Sequence, residues 1–512
     1  MSGADGIRRV VVLGGGLAGW AAAAGIAHSL RGSGVSITVV DTPRSRREPR
    51  AVRTLPGSLA FFRHLGIGER DLLLQADAHY CLGTEFRDWP AEGQRRLRAF
   101  GAYGADIGFI PFHHYLVRSR AAGGTAVDIN AYSVSAAAAA AGRFAHAPPD
   151  ARTLVAQLAY GLCFDSRGAA ALLRRYAERH GVQRVASEMT TALRHDATGC
   201  IASLHLADGR SVGGDLFIDC SNADAALLGA TLQVGIEADA ALLPCDRLYE
   251  FACDRHGAAA PRTDCTLTER AWLVATPLQR HTVTACLCPD GALDGAGAAA
   301  LAARHGAAVN GTAALSYRFA NGRRQRAWHL NCIALGDAAG ALEPLAVHSF
   351  DRVQSGIARL LRMFPRTACD TQLAEEYNRL TRLEFEHMRD YLLVSYELPA
   401  ARPAGFRTRP GAGREPSSYA RRRALFAATG RHAADDDDTF DRHAWVAAWL
   451  AAGLWPAQHD PLLDRMDPAG LDSHFTRLRE AIAAAVAALP AHGEYLARLR
   501  AAKAPGRPPG DR

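Results

Sequence analysis

The chain has 512 residues, 48% hydrophobic and 22% charged, with a formal net charge of +7 at pH 7; that is the length of one large domain or of two sharing a core, with the balance of an ordinary globular protein. Its basic residues are scattered, with no stripe interleaved by aromatics and no apolar run near 18 residues, roughly a membrane span, so neither a nucleic-acid nor a membrane partner is expected. The 11 cysteines are dispersed and odd in number, without paired metal-site spacing, so a reduced, cytoplasmic protein with no bound metal is expected, most thiols serving as small core residues.

Of the 59 Lys+Arg positions, one alone, Lys503, is lysine. Coding bias accounts for arginine wherever only charge matters. A reaction that needs an amine, however, cannot be run by a guanidinium, which stays protonated in proteins.

Val10 to Leu13 are an apolar run that predicts a strand, broken by Gly14, Gly16 and Gly19 in G-x-G-x-x-G spacing before an Ala-rich helical pattern. The glycines allow a tight turn, close approach of backbone to a pyrophosphate and helix–sheet packing, and the helix N-terminus offers free amides. A second strand, Val35 to Val40, ends at Asp41, 22 residues past Gly19 (41 − 19), where a carboxylate can accept ribose hydroxyls. Dinucleotide binding is the expectation, with Gly14, Gly16, Leu17, Ala18, Gly19, Trp20 and Asp41 at the site.

A basic loop follows, in which Arg50 and Arg53 lie either at a bound phosphate or in solvent, and then a helix burying Leu59, Phe62, Leu65 and Ile67. Ala78 to Trp89 alternates as a strand does. His113 and His114 sit among aromatics, either as core residues or at a substrate. Ala131 to Gly142 predicts a small-residue helix and Phe164 to Gly181 an amphipathic one, before strands at Ile201 to Leu206 and Ser211 to Ile218. The last closes on Asp219 and returns the chain to the nucleotide site. Ala271 to Pro277 and Thr282 to Cys288 predict strands of a substrate-covering sheet.

Asn331 to Pro344 reads as a strand, then Gly336-Asp337, then a turn that starts a helix; Gly336, Asp337 and Ala338 are placed at the cofactor, with Asp337 on a hydroxyl and the helix N-terminus behind it. Helices continue through 374–398. Residues 401–418 are expected to be a surface loop, Asp435 to Asp438 a solvated loop rather than a metal box, and 501–512 a disordered tail.

GGGLAGW, FDSRGAAALLRRYAERHG, DLFIDCS, NCIALGDAAGALEPL, RDYLLVSYEL and LPAHGEYLARL occur in the order and approximate spacing of flavin-dependent tryptophan halogenases, which the chain resembles along essentially its whole length. The resemblance implies an α/β fold: an FAD-binding, Rossmann-like domain of the GR2 flavoprotein-monooxygenase type, a β-sheet substrate domain and a helical C-terminal part. On this reading residues 1–400 bind FAD, with the substrate side interleaved at about 75–130 and 235–325, and 401–500 complete the substrate side. It also implies an indole-type substrate at the end of a tunnel from the flavin.

The likeness fails where the family's halogenation residues stand. The lysine that captures hypohalous acid is replaced by Cys81, and in the proline-leucine-glutamate-serine-threonine stretch the glutamate is Ala346 and the threonine His348. Of tryptophan-x-tryptophan-x-isoleucine-proline only Trp272 and Pro277 remain, and the glycine-glutamate-alanine-threonine loop is Ala51-Val52-Arg53-Thr54. Different chemistry follows: an FAD-dependent monooxygenase that hydroxylates or otherwise oxidises an indole or tryptophan-like ring, free or in a peptide, using O2 and reduced flavin from NAD(P)H directly or from a partner reductase. Cys81, His348 and His113 are the catalytic candidates, the last two as acid or base, while Cys81 either acts or fills the space left by lysine. The alternatives are a lysine-independent halogenase and a flavin-binding protein without oxygenation activity.

Overall fold

The computed structural model describes residues 6–501 apart from 43–47, 124–127, 149–151, 255–258, 310–314, 347–348, 398–414, 434–437 and 467. Four consecutive residues, Val10 to Leu13, are buried, and a strand apolar on both faces belongs inside a covered sheet. It pairs in parallel with Leu216–Asp219 on one side and Ser36–Asp41 on the other. The complete six-stranded sheet runs Trp328–His329, Cys332–Ala334, Leu216–Asp219, Arg9–Leu13, Ser36–Asp41, Gln183–Ala186, with only its Trp328–His329 edge antiparallel. The helix Leu17–Ser29 has no polar face to give to solvent, and it packs against the helices Ser166–Arg179 and Ser349–Arg362. On the other side, Val11, Leu13 and Val40 share a core with Ile201, Leu204 and Leu206 from a small antiparallel sheet.

A second, seven-stranded sheet takes its strands from two stretches: Leu315–Arg318, Arg247–Cys253, Thr282–Cys288, Trp272–Pro277, Thr263–Leu267, Gly83–Arg87 and Arg95–Ala99. C-terminal helices close over it, Phe426, Trp445, Trp449 and Phe475 sharing one core with Phe86, Trp89 and Trp272. A separate three-stranded sheet is formed by Ala51–Arg53, Gly161–Asp165 and His79–Cys81.

Several sequence expectations are corrected. The strand expected over Ala78 to Trp89 is two, His79–Cys81 and Gly83–Arg87, belonging to different sheets. The switch occurs where Gly83 takes φ +154° with its Cβ position 2.4 Å from the Arg98 carbonyl oxygen. Likewise Ser211 to Ile218 divides into Ser211–Gly213, in a hairpin, and Leu216–Asp219, in the central sheet, because the Asp215 carboxylate accepts from the Arg8 and Arg9 amides and turns the chain. After Gly336-Asp337 there is one 3-10 turn, Gly336–Ala338, and the long helix starts later, at Ser349–Arg362. Asp438 is not solvated: it accepts from the Arg422 guanidinium at 2.7 Å and the Trp445 indole at 3.1 Å, while Asp435 to Asp437 lie outside the described residues. The expected surface loop at 401–418 falls mostly outside them too, as do residues 502–512 of the expected tail, and a helix begins at Ser417.

Gly83→Ala is expected to cost roughly 2–4 kcal/mol, through positive-φ strain and the clash with the neighbouring carbonyl. A thermal melt of this variant checks it, and an unchanged Tm contradicts the assigned role of Gly83.

Candidate active site

The glycine turn joins the first strand to its helix in little space. Gly14 takes φ +127°, its Cβ position 2.3 Å from the Cys220 carbonyl, and a Cβ on Gly19 would lie 1.9 Å from the Gly14 carbonyl. Any side chain at either position would push helix from sheet. What remains is a row of helix N-terminal amides facing a crevice lined by Leu17, Ala18, Glu48, Arg53, Asp337 and Phe350 among others. The Leu17 amide donates to both Glu48 oxygens, at 3.0 and 3.2 Å, so a carboxylate stands where a helix N-terminus favours an anion. Burial pushes Glu48 up to about 7, and the Asp337 charge adds to it. Asp337 accepts from the Tyr317 hydroxyl at 3.0 Å and the Arg352 guanidinium at 3.2 Å. Asp41 is 2% exposed and one of its oxygens takes Arg184 Nε at 2.7 Å. Glycine cradle, helix N-terminus and strand-end acids fit a dinucleotide.

The structure brings Gly14, Gly16, Leu17, Ala18, Asp41, Gly336, Asp337 and Ala338 to the ends of adjacent central-sheet elements. Trp20 differs: its indole is a core group, 2% exposed in the cluster that includes Val10, Val12 and Leu173. Arg53 is buried and Arg50 is half-exposed. Arg50 Nε donates to Asp165 at 2.6 Å. Arg53 lines the crevice but spends its guanidinium on the Leu345 carbonyl, at 3.0 Å, and on the Pro344 carbonyl.

That contact builds a partition. Pro344 lines the crevice, whereas Ala346, two residues on, lines a separate cavity of about 1050 Å³. Cys81 belongs to the same wall: 3% exposed, it clusters with Cys163, Leu278 and Val283, with Ala51 and Phe100 packed against them. Its thiol donates to the Gly83 carbonyl at 3.3 Å and lies 3.8 Å from the Thr263 hydroxyl.

The large cavity has an apolar body, with Phe61, Phe86, Phe100, Tyr391 and Phe440 in its walls and Arg98, Asp351, Arg362, Glu384 and Asp441 as charged groups. Glu384 is paired with Arg359 at 2.9 Å. Asp351 accepts from the Ser58 hydroxyl and from the Leu55 amide at 3.4 Å, and its second oxygen has no partner. Burial pushes this carboxyl up to about 7, and Glu384 acts in the same direction against the nearby Arg352 charge.

His113 is not brought to this cavity. Its Nε2 is 2.6 Å from the Gly430 carbonyl, its ring lies 4.4 Å from that of His114, and burial pushes it down to about 3. It braces the end of the helix Ser417–Thr429. His348 lies outside the described residues. Sequence reading missed Asp351 and Arg98: both are charged residues in ordinary helical or alternating patterns, and only contacts from distant segments bury them.

Fold and site together define an α/β protein in which a glycine-cradled crevice lies beside a separate cavity large enough for an aromatic molecule. The tryptophan halogenase family model matches residues 9–468, and the chain belongs to that family. It is similar to tryptophan 6-halogenase ThaL of Streptomyces albogriseolus, 29% identical over 409 residues that cover 76% of each chain. Among solved structures, it resembles BrvH, a flavin-dependent halogenase from Brevundimonas sp. BAL3, at 33% identity and TM-score 0.90 over 96% of this chain and 99% of that one. Xcc4156, a flavin-dependent halogenase from Xanthomonas campestris, aligns at 32% identity and TM-score 0.90 over 98% and 100% of the two chains.

Buried carboxyls give this site a pH dependence. Glu48, Glu250, Glu343 and Asp351 are all pushed to about 7 by burial, so the folded chain holds protons that the unfolded chain releases near pH 4, roughly. Their stability contribution is complete below that pH and is lost as pH rises through about 7. Buried histidines such as His113 and His114, pushed down by burial, gain stability over the same range, so the carboxyl contribution is read as a difference. The Tm of Glu343→Gln relative to the unmodified chain is expected to rise as pH passes through about 7, and a difference that does not change with pH contradicts the assignment.

Proposed function

We propose that the chain is an FAD-dependent oxygenase built on the tryptophan halogenase scaffold, which hydroxylates an indole-like aromatic ring, free or in a peptide, held in the large cavity. The crevice would hold FAD, which, once reduced by NAD(P)H or a partner flavin reductase, would supply the two electrons needed to divide O2 between the ring and water. The observation that carries the reading is the partition: at Cys81, where the resemblance implies the family's amine, there is a buried thiol packed among Cys163, Leu278 and Val283, and at Ala346, where it implies the family's glutamate, there is a cavity wall without a carboxylate.

The protein's part is positioning, exclusion of water and proton transfer. The glycine cradle and Asp41 hold the dinucleotide, Arg53 fixes the strap between crevice and cavity, and the aromatic walls orient the ring. When a C–O bond forms at a ring carbon, the C–H proton must leave to restore aromaticity, and the unpaired oxygen of Asp351 is the acceptor in this cavity. The groups facing Asp351 are the Ser58 hydroxyl, the Leu55 amide, Glu384 and Arg352.

A second reading, lysine-independent halogenation, is supported by the two flavin-dependent halogenases more than 30% identical to this chain. Turnover with isotopically labelled dioxygen, a flavin reductase and tryptophan or indole, in chloride or bromide, separates the two. A product one labelled oxygen heavier is expected, and a halogenated product with no label overturns the proposal.

Since the acceptor must be ionised, kcat is expected to rise with pH through about 7 and then level off. Asp351→Asn should lower kcat by roughly 10²-fold and remove that limb. An unchanged profile in the variant would remove Asp351 from the reaction.

A further inference from the structure

We propose that the chamber takes an aromatic anion, a ring carrying a carboxylate or comparable oxyanion, and that Arg98 binds its charge. This rests on the reading of the large cavity as the substrate site, and it specifies what that site selects.

The argument begins with what each buried arginine is given. Among the described residues these are Arg53, Arg98, Arg352, Arg359 and Arg422. Arg352 has Asp337, Arg359 has Glu384 and Arg422 has Asp438, while Arg53 has two carbonyls. Among the described residues Arg98, 5% exposed, forms no ion pair with a carboxylate; its Nη1 donates to the Ser395 hydroxyl at 3.1 Å and the Tyr391 phenol lies beside its guanidinium. Its Nε and Nη2 are buried without partners. A guanidinium cannot escape this by losing its proton, and an uncompensated buried charge is strongly unfavourable.

Arg98 also has a defined place. Its guanidinium carbon lies 4.3 Å from the centre of the Phe86 ring and 4.6 Å from that of Trp89, so aromatic faces hold it. The ionisable groups around it are Tyr391, Cys265, Tyr103 and Tyr419, phenols and a thiol rather than acids. It lines the large cavity, none of whose acids faces it: Glu384 pairs with Arg359, Asp351 sits on Ser58 with one oxygen unpaired, and Asp441 accepts from the Ala444 amide. The missing counter-charge is therefore assigned to the ligand. A ring fits the adjoining wall, where Tyr391 and Phe440 stack at 3.8 Å.

The test is an equilibrium titration by calorimetry of the FAD-loaded protein, at low salt, with two pairs of probes: indoleacetate against indoleacetamide, and indolecarboxylate against its amide. Each pair keeps the shape and changes the charge. The acids are expected to bind about tenfold more tightly than their amides. In Arg98→Gln that preference should fall below about twofold with amide affinity retained, and Arg98→Lys should keep part of it. Equal affinities for acid and amide in the unmodified protein overturn the proposal, as does an acid preference that survives in Arg98→Gln. The comparison within the unmodified protein decides even if a variant does not fold. Because it needs no reductant, dioxygen or halide, it stands or falls separately from the oxygenation chemistry.

Discussion

The hold of Arg53 on the strap at Pro344 and Leu345 joins positions 292 residues apart and makes the site a two-room arrangement. A permanently charged group buried on two carbonyls fixes backbone, since neither partner can leave without stranding the other. The strand carrying Arg53 pairs with Gly161–Asp165, which also pairs with the strand ending at Cys81. One small sheet therefore sets the crevice floor, the strap and the dividing wall together. The wall matters because the chemistry proposed depends on what crosses it and on what meets the crossing species.

Charge is distributed unevenly across that wall. On the crevice side Glu48, Asp41 and Asp337 sit near the helix N-terminus, with Arg184 and Arg352 as partners. On the cavity side Asp351 keeps one unpaired oxygen and Arg98 two unpaired nitrogens, in a chamber walled by aromatic rings. A proton acceptor and an anion site in one apolar chamber suit an aromatic acid that must lose a ring proton. Neither group depends on an amine, which is what a chain with its one lysine at position 503 has to manage without.

Much of the frame was legible in the sequence, for stated physical reasons. The apolar run at Val10, the glycine spacing and the acid at Asp41 are local signals, and each depends on geometry that neighbouring residues impose. The break at Leu82 was not legible: hydrophobic alternation continues through it while the chain changes sheet, and only the approach of the Arg98 backbone to Gly83 explains the switch. Asp438 looked solvated in an acidic run, yet Arg422, from the helix Ser417–Thr429, pairs with it in a buried position. Asp351 follows the same rule, because its partners at Ser58 and Leu55 lie nearly 300 residues away. Trp20 erred the other way, its place beside the glycines suggesting a ligand contact although its indole completes the core.

The most direct measurement of the central claim, that oxygen rather than halide crosses the partition, is rapid mixing of the anaerobically reduced FAD complex with oxygen in the presence of an indole substrate. Flavin spectra are followed with and without chloride or bromide. The account predicts a return to the oxidised spectrum whose rate responds to the aromatic substrate and ignores halide. Acceleration by halide that is independent of the substrate would contradict it and make the chain a halogenase that works without the lysine.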